Sequence, residues 1–148
     1  MSYTSLKYHI VFSTRDQSPL IRPEYMPRLI QYLGGIVREL DGRLITAHGT
    51  PDHIHLAVSL IPKRALADFI RVVKNNTARW IHQTFPDLLD FAWQEGFAAF
   101  TVAHSGIKQV ESYIQKQTDH HKKMSFRREL ITLLKRHDID FDEDYILT

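Results

Sequence analysis

Residues 53–61, His-Ile-His-Leu-Ala-Val-Ser-Leu-Ile, constrain this chain more than any other stretch. Successive side chains of a strand point to opposite faces. One face therefore carries His53, His55, Ala57 and Ser59, and the other carries Ile54, Leu56, Val58 and Leu60. The second set demands a covering layer of helices. The first set puts two imidazoles among small neighbours on the face those helices leave uncovered, with room for a ligand. Two histidines two apart on a strand can hold one divalent metal. The ordinary alternative is a pair of surface histidines on a half-exposed strand.

The rest of the chain supplies the layers. Tyr8 to Ser13 is β-branched and aromatic and reads as a first strand. Pro23-Glu24 opens a helix with Met26, Leu29, Ile30, Leu33, Val37 and Leu40 on one face, and Asp41-Gly42 ends it. Arg43 to His48 reads as a second strand, Gly49-Thr50-Pro51-Asp52 as a tight turn, and 53–61 as the third strand. A helix over 65–84 follows, with Phe69, Ile70, Val73, Thr77, Trp80 and Ile81 inward. Phe97 to Ala103 is a fourth strand, preceded by an arm from Phe91. Ser105 caps a helix through about His121, and Ser125 starts a last short helix with Phe126, Leu130, Leu133 and Leu134 on one side. The order β-α-β-β-α-β predicts an α+β, ferredoxin-like or RRM-like antiparallel sheet with two helices on one face and C-terminal helices appended. No linker or repeat divides the chain, so 1–148 is expected to be one domain.

Composition removes several chemistries. There is no cysteine, which excludes disulfides, thiolate metal sites and a cysteine nucleophile. Gly34-Gly35 lies inside a helical pattern and no phosphate-binding glycine loop is present. No apolar run approaches the roughly 20 residues of a membrane span, and the polar start is unlike a signal peptide. The formal net charge of +2 is an average over unlike parts. Residues 137–148 hold five acids and no Lys or Arg, which leaves a net of +7 on residues 1–136. The acidic tail is expected to be a solvated terminus, although Ile139, Phe141, Tyr145 and Ile146 would allow it to dock. On the basic body, Arg64, Arg71, Lys74 and Arg79 gather on the outer side of the second helix, a pattern suited to a phosphate backbone.

A second constellation lies after the sheet. Tyr113 and Gln117 sit four apart and share a helix face beside the apolar stripe of Ile107, Val110 and Ile114, and His120 or His121 extends that side. An amide oxygen can complete a hard-metal site.

The run Gly49-Thr50-Pro51-Asp52-His53-Ile54-His55-Leu56, the phrase Phe91-Ala92-Trp93-Gln94-Glu95-Gly96-Phe97, and Tyr113-Ile114 with Gln117 resemble the single-tyrosine His-hydrophobic-His transposases of small prokaryotic insertion sequences. The resemblance spans nearly the whole chain, in order. It implies a metal-dependent transesterase that cleaves and rejoins single-stranded DNA at imperfect hairpins near element ends. It implies His53, His55 and Gln117 as ligands of Mg²⁺ or Mn²⁺, and Tyr113 as the nucleophile that forms a 5′-phosphotyrosine. It further implies a cytoplasmic homodimer in which the tyrosine helix can serve the partner's site.

Other functions share parts of this pattern. A non-catalytic nucleic-acid-binding module needs the basic face alone. A metal hydrolase using water needs a third ligand, for which His9, His48 and His104 are available. A domesticated repeat-associated relative would keep the chemistry and change the substrate.

Overall fold

A computed structural model describes all residues, 1–148. Four strands, β1 (Lys7–Ser13), β2 (Arg43–Thr50), β3 (His53–Ser59) and β4 (Ala98–Val102), form one antiparallel sheet in the order β2-β3-β1-β4. Helices α1 (Met26–Glu39) and α2 (Leu66–Thr84) cross one face. Short helices α3 (Ile107–Gln115) and α4 (Gln117–His120), then α5 (Phe126–Arg136), follow the sheet. This is the α+β architecture that the element order predicts.

The alternation of β3 partitions its side chains as read from the sequence. Ile54, Leu56 and Val58 join Ile10 and Phe12 of β1 in a core of 21 buried side chains closed by α1 and α2. Phe69, Ile70, Val73, Thr77 and Ile81 of α2 are all buried. Trp80 lies at that core's edge, stacked on Tyr32 with ring centroids 4.8 Å apart. Thr77 tolerates burial because its hydroxyl donates to Val73 O and accepts the Trp93 indole N–H at 2.9 Å. The arm expected from Phe91 runs irregularly beside β1, bridging Thr14 through Trp93. It returns backbone bonds from Arg15 N to Ala92 O and from Gln94 N to Ser13 O.

The second face is not open, which corrects the expectation of an uncovered ligand-binding surface. Val11 and Phe100 pack against Phe126, Leu130, Leu133 and Leu134 of α5. Ala57 packs against Ile107 and Ile114 of α3. His9, His53 and His55 are therefore buried, at 4%, 0% and 0% exposure. Small and polar residues on this face leave room for a second helical layer rather than for solvent. Phe100 is buried on this face too, whereas Phe97, just before β4, is exposed.

The acidic tail also departs from the expectation of a solvated terminus. Phe141, Ile146 and Leu147 pack onto the α5 cluster. Gly96 N donates to Thr148 O at 3.0 Å, and Gln17 Nε2 donates to Leu147 O at 3.2 Å. Ile139 and Tyr145 stay exposed with Asp142, Glu143 and Asp144, while Phe141, Ile146 and Leu147 are partly buried. Burial of these side chains, rather than net charge, decides where the tail lies.

Candidate active site

The β2–β3 hairpin sets the first half of the site. A Cβ at Gly49 would stand 2.3 Å from the His53 carbonyl oxygen and 3.0 Å from Ile54 Cα, closer than real Cβ atoms come. A glycine here lets β2 approach β3 at the histidines. Asp52, in the turn, places Oδ1 2.7 Å from His53 Nδ1, and Thr50 Oγ1 lies 2.9 Å from the same nitrogen. That leaves His53 Nε2 directed inward.

The second half comes from helices packed on this face. Ser125 caps α5 by accepting from Arg128 N. One turn later the helix presents Glu129 to the interior, 2% exposed among Phe126, Leu130 and Leu133. Glu129 Oε1 lies 3.0 Å from His55 Nε2, 3.4 Å from His53 Nε2 and 3.1 Å from His121 Nε2. Glu129 Oε2 accepts from Tyr113 Oη at 2.5 Å and from Gln117 Nε2 at 3.1 Å. Gln117 Oε1 stands 3.1 Å from His53 Nε2.

The expected continuous helix from Ser105 to His121 is interrupted. Three-ten geometry occupies His104–Gly106 with no cap by Ser105, and the helix breaks at Lys116 between α3 and α4. Tyr113 and Gln117 nevertheless reach the same carboxylate from the two sides of that break.

The structure thus gathers four of the expected site residues, His53, His55, Tyr113 and Gln117, around Glu129. Sequence reasoning missed Glu129. The signal was an acid at the 126-129-133 spacing of an otherwise apolar helix stripe, since a carboxylate is almost never fully buried without partners. His48 and His104 lie outside the cluster. His9 stacks on His55 and meets the edge of Tyr113 but lies outside the His53–His55–Glu129 donor group, so none of the three supplies the third ligand that a water-activating hydrolase needs.

The electrostatics follow from burial and from Glu129. Burial disfavours charge on His53, but hydrogen bonds to Asp52 and Glu129 outweigh it and hold the imidazole at about 9. Burial dominates at His55, which falls to about 4. Burial pushes the Tyr113 phenol up, and the Glu129 charge pushes it further. Burial alone would raise Glu129, yet His121, His53 and His55 hold its carboxyl well below the usual range.

His53 Nε2, His55 Nε2 and a Glu129 oxygen lie within 4.8 Å of one another. Two imidazole nitrogens, a carboxylate and the Gln117 amide oxygen make a mixed N/O donor set that suits a divalent cation such as Mg²⁺ or Mn²⁺ and offers no soft sulfur ligand.

The four expected DNA-contacting residues separate. Arg79 is exposed, and Arg71 is exposed beside Asp68 at 3.7 Å. Arg64 is half-buried with its Nε unpaired. Lys74 turns away from solvent and donates to the carbonyls of Gln94, Glu95 and Gly96 at 2.9, 3.2 and 2.5 Å. It clamps the 94–97 segment to α2, and burial lowers its ammonium to about 8.

A ferredoxin-like sheet with a buried His-x-His pair, facing a tyrosine and a carboxylate from appended helices, defines a metal-binding transposase class. The sequence profile described as Transposase IS200 like matches residues 2–117, and the chain belongs to that family of DNA-cleaving transposases. It is 27% identical over 119 residues to the ISDra2 transposase TnpA of Deinococcus radiodurans, covering 77% of this chain and 85% of that protein. It is likewise 27% identical over 126 residues to the transposase for insertion sequence element IS200 of Salmonella typhimurium, covering 78% and 79%. In fold it is similar to a crystal structure of a transposase from Deinococcus radiodurans R1, with a TM-score of 0.66, 24% identity, and 78% and 93% of the two chains covered. It is similar in fold to a REP-associated tyrosine transposase bound to a REP hairpin, with a TM-score of 0.61 and 14% identity. That similarity covers 100% of this chain and 91% of the other.

Proposed function

We propose that this transposase cleaves and rejoins single-stranded DNA through a covalent Tyr113 intermediate at a centre formed by His53, His55, Gln117 and Glu129. The observation that carries this reading is the convergence of Tyr113 Oη and the donor cluster on Glu129, all within one chain. A cation bound there would polarise the scissile phosphate and offset the charge that develops on it. The chain's own groups do the rest. Tyr113 Oη attacks phosphorus, an Oη–P bond forms and the P–O3′ bond breaks. The Tyr113 Oη–Glu129 Oε2 hydrogen bond holds the phenol proton as the Oη–P bond forms, and that proton is handed on to the departing 3′ oxygen as the P–O3′ bond breaks, so Glu129 is not left protonated. The phosphodiester energy is kept in the phosphotyrosine, so a second 3′-hydroxyl can reverse the step and join strands without ATP. Asp52 and Thr50 hold the His53 ring in position.

The same geometry favours action in cis. One subunit supplies every group, so each member of a homodimer would carry a complete centre. Arg71 and Arg79, on the outside of α2, are proposed to bind backbone phosphates. Arg64 extends that surface, and Lys74 shapes it.

The test is a single-stranded oligonucleotide carrying the imperfect hairpin that flanks the coding region, incubated with Mg²⁺ or Mn²⁺. A DNA-linked protein on a denaturing gel is expected from the wild type and not from Tyr113→Phe. Equal cleavage by Tyr113→Phe would overturn the mechanism. Cleavage that leaves no protein attached would favour the water-using hydrolase instead. Salt-sensitive binding with no adduct would favour the bare binding module.

A second substrate reading rests on coverage. The fold similarity to the REP-hairpin-bound transposase extends over α5 and the tail, whereas the other solved structure covers 78% of the chain. Dispersed chromosomal palindromes are accordingly the second hairpin class to assay, in competition with element-end hairpins.

A further inference from the structure

His9 is a buried histidine in the middle of β1, and the chemistry proposed above does not use it. Its Nε2 lies 2.7 Å from His55 Nδ1, and the two rings stack at 5.0 Å with a 28° angle between planes. His9 also meets Phe100 and the edge of Tyr113, at 5.9 and 6.0 Å between ring centroids.

An imidazole can ligate a cation through Nε2 only if its proton sits on Nδ1. A histidine ligand normally donates that second N–H to an oriented acceptor, which fixes the tautomer and the ring angle. The two histidines of this site have unlike acceptors. His53 Nδ1 faces the Asp52 carboxylate. His55 Nδ1 faces the imidazole nitrogen of His9, and no carboxylate bonds to it. We propose that His9 is the positioning residue for His55: its Nε2 accepts the His55 Nδ1–H, so that His55 Nε2 is presented to the cation beside Glu129. The inference rests on the reading of His53, His55 and Glu129 as a metal centre.

Two requirements follow for His9 itself. It must be neutral, and its own proton must sit on Nδ1. Neutrality agrees with its surroundings. His9 is 4% exposed and stacked on the His55 ring, surroundings that disfavour a charged imidazole. The stacked geometry also holds the His55 ring edge-on to Tyr113, at 5.9 Å and 71°. His9 thereby ties the metal-facing ring to the nucleophile's helix.

The experiment is Mn²⁺ titration of the full chain followed by electron paramagnetic resonance, on the wild type, His9→Phe and His9→Gln. Phenylalanine keeps a ring in the stack and removes the acceptor. The glutamine carbonyl can stand where His9 Nε2 stood. His9→Phe is expected to weaken Mn²⁺ binding about 10–100-fold, and His9→Gln to recover most of that loss. A purely structural role would penalise glutamine at least as much as phenylalanine. Wild-type affinity in His9→Phe overturns the proposal, and so does an affinity in His9→Gln no better than in His9→Phe. If His9→Phe fails to fold, nitrogen NMR of the wild type loaded with diamagnetic Zn²⁺ reads the tautomers directly. Protons on Nδ1 of both His9 and His55 are expected, and a His9 proton on Nε2 overturns the proposal. A wild type that binds Mn²⁺ no better than His53→Ala refutes the metal centre itself, a result separable from failure at His9 alone.

Discussion

Metal binding at this site must compete with a proton. His53 is held protonated to about pH 9 by Asp52 and Glu129 against the cost of burial. Its Nε2 could ligate only after that proton leaves, so a cation bound there would displace a single proton. His55, held at about 4, is already neutral near pH 7 and adds no competition there. Occupancy by one proton weakens apparent affinity by the factor one plus ten to the power of the pKa minus pH. With the His53 value of about 9, that factor is about 100 at pH 7 and about 4 at pH 8.5. The Mn²⁺ dissociation constant should therefore tighten about 25-fold over this interval, equivalent to about 1.9 kcal/mol. The assay is anaerobic Mn²⁺ titration at fixed ionic strength, read by the free-ion resonance signal. Asp52→Asn supplies a second arm. It removes the carboxylate bonded to His53 Nδ1, lowers the competing proton's affinity and flattens the dependence. A wild-type affinity that does not change between pH 7 and 8.5 would refute the reasoning, because it would mean that no proton leaves His53 on binding.

Other consequences can be checked separately. The metal-free protein should be most stable near pH 6.5, measured by urea unfolding. Above that value the His53 contribution, fully present below the unfolded value of 6.5, is lost as pH rises through about 9. Below it, His9 and His55, held at about 3 and 4, lose theirs as pH falls, at about 1.4 kcal/mol per unit per group. Glu129→Gln leaves three histidines without their shared carboxylate. It should cost about 3–5 kcal/mol of stability and most of the Mn²⁺ affinity, seen by thermal unfolding with and without metal. Lys74→Met should lose about 2 kcal/mol through its carbonyl bonds, whereas Arg79→Ala should stay within about 0.5 kcal/mol and lower the salt dependence of DNA binding. A mixture of Tyr113→Phe and His53→Ala should form no adduct, because each chain lacks one part of a cis centre. Restored cleavage in the mixture would establish exchange of the tyrosine helix between subunits.

The sheet and its two covering helices were legible because their periodicities are clean. The β3 alternation and the Phe69–Ile81 stripe each had one consistent solution. The expectation of an open face failed for a physical reason. His9, His53 and Ala57 are residues that a solvent-facing or a ligand-facing strand would also carry, and only the apolar sides of α3 and α5 decide between them. Tyr113 and Gln117 were recognisable by their four-residue spacing despite the break at Lys116. Lys74 read as part of a basic face because helical periodicity locates a side chain's direction and not its partner. The carbonyls it binds come from a segment twenty residues away that has no regular structure. Glu129 was written into the pattern as an acid inside an apolar stripe, but its partners come from other elements, and two of them, His55 and His53, lie 74 and 76 residues upstream in the chain.

That separation makes the active centre divisible. Everything up to and including His121 contributes the histidines, tyrosine and glutamine, and α5 contributes the carboxylate that joins them. Between the two lies the exposed pair Lys122-Lys123, in a turn. A backbone cut there would give two polypeptides, each chemically incomplete, whose reunion rebuilds the donor set.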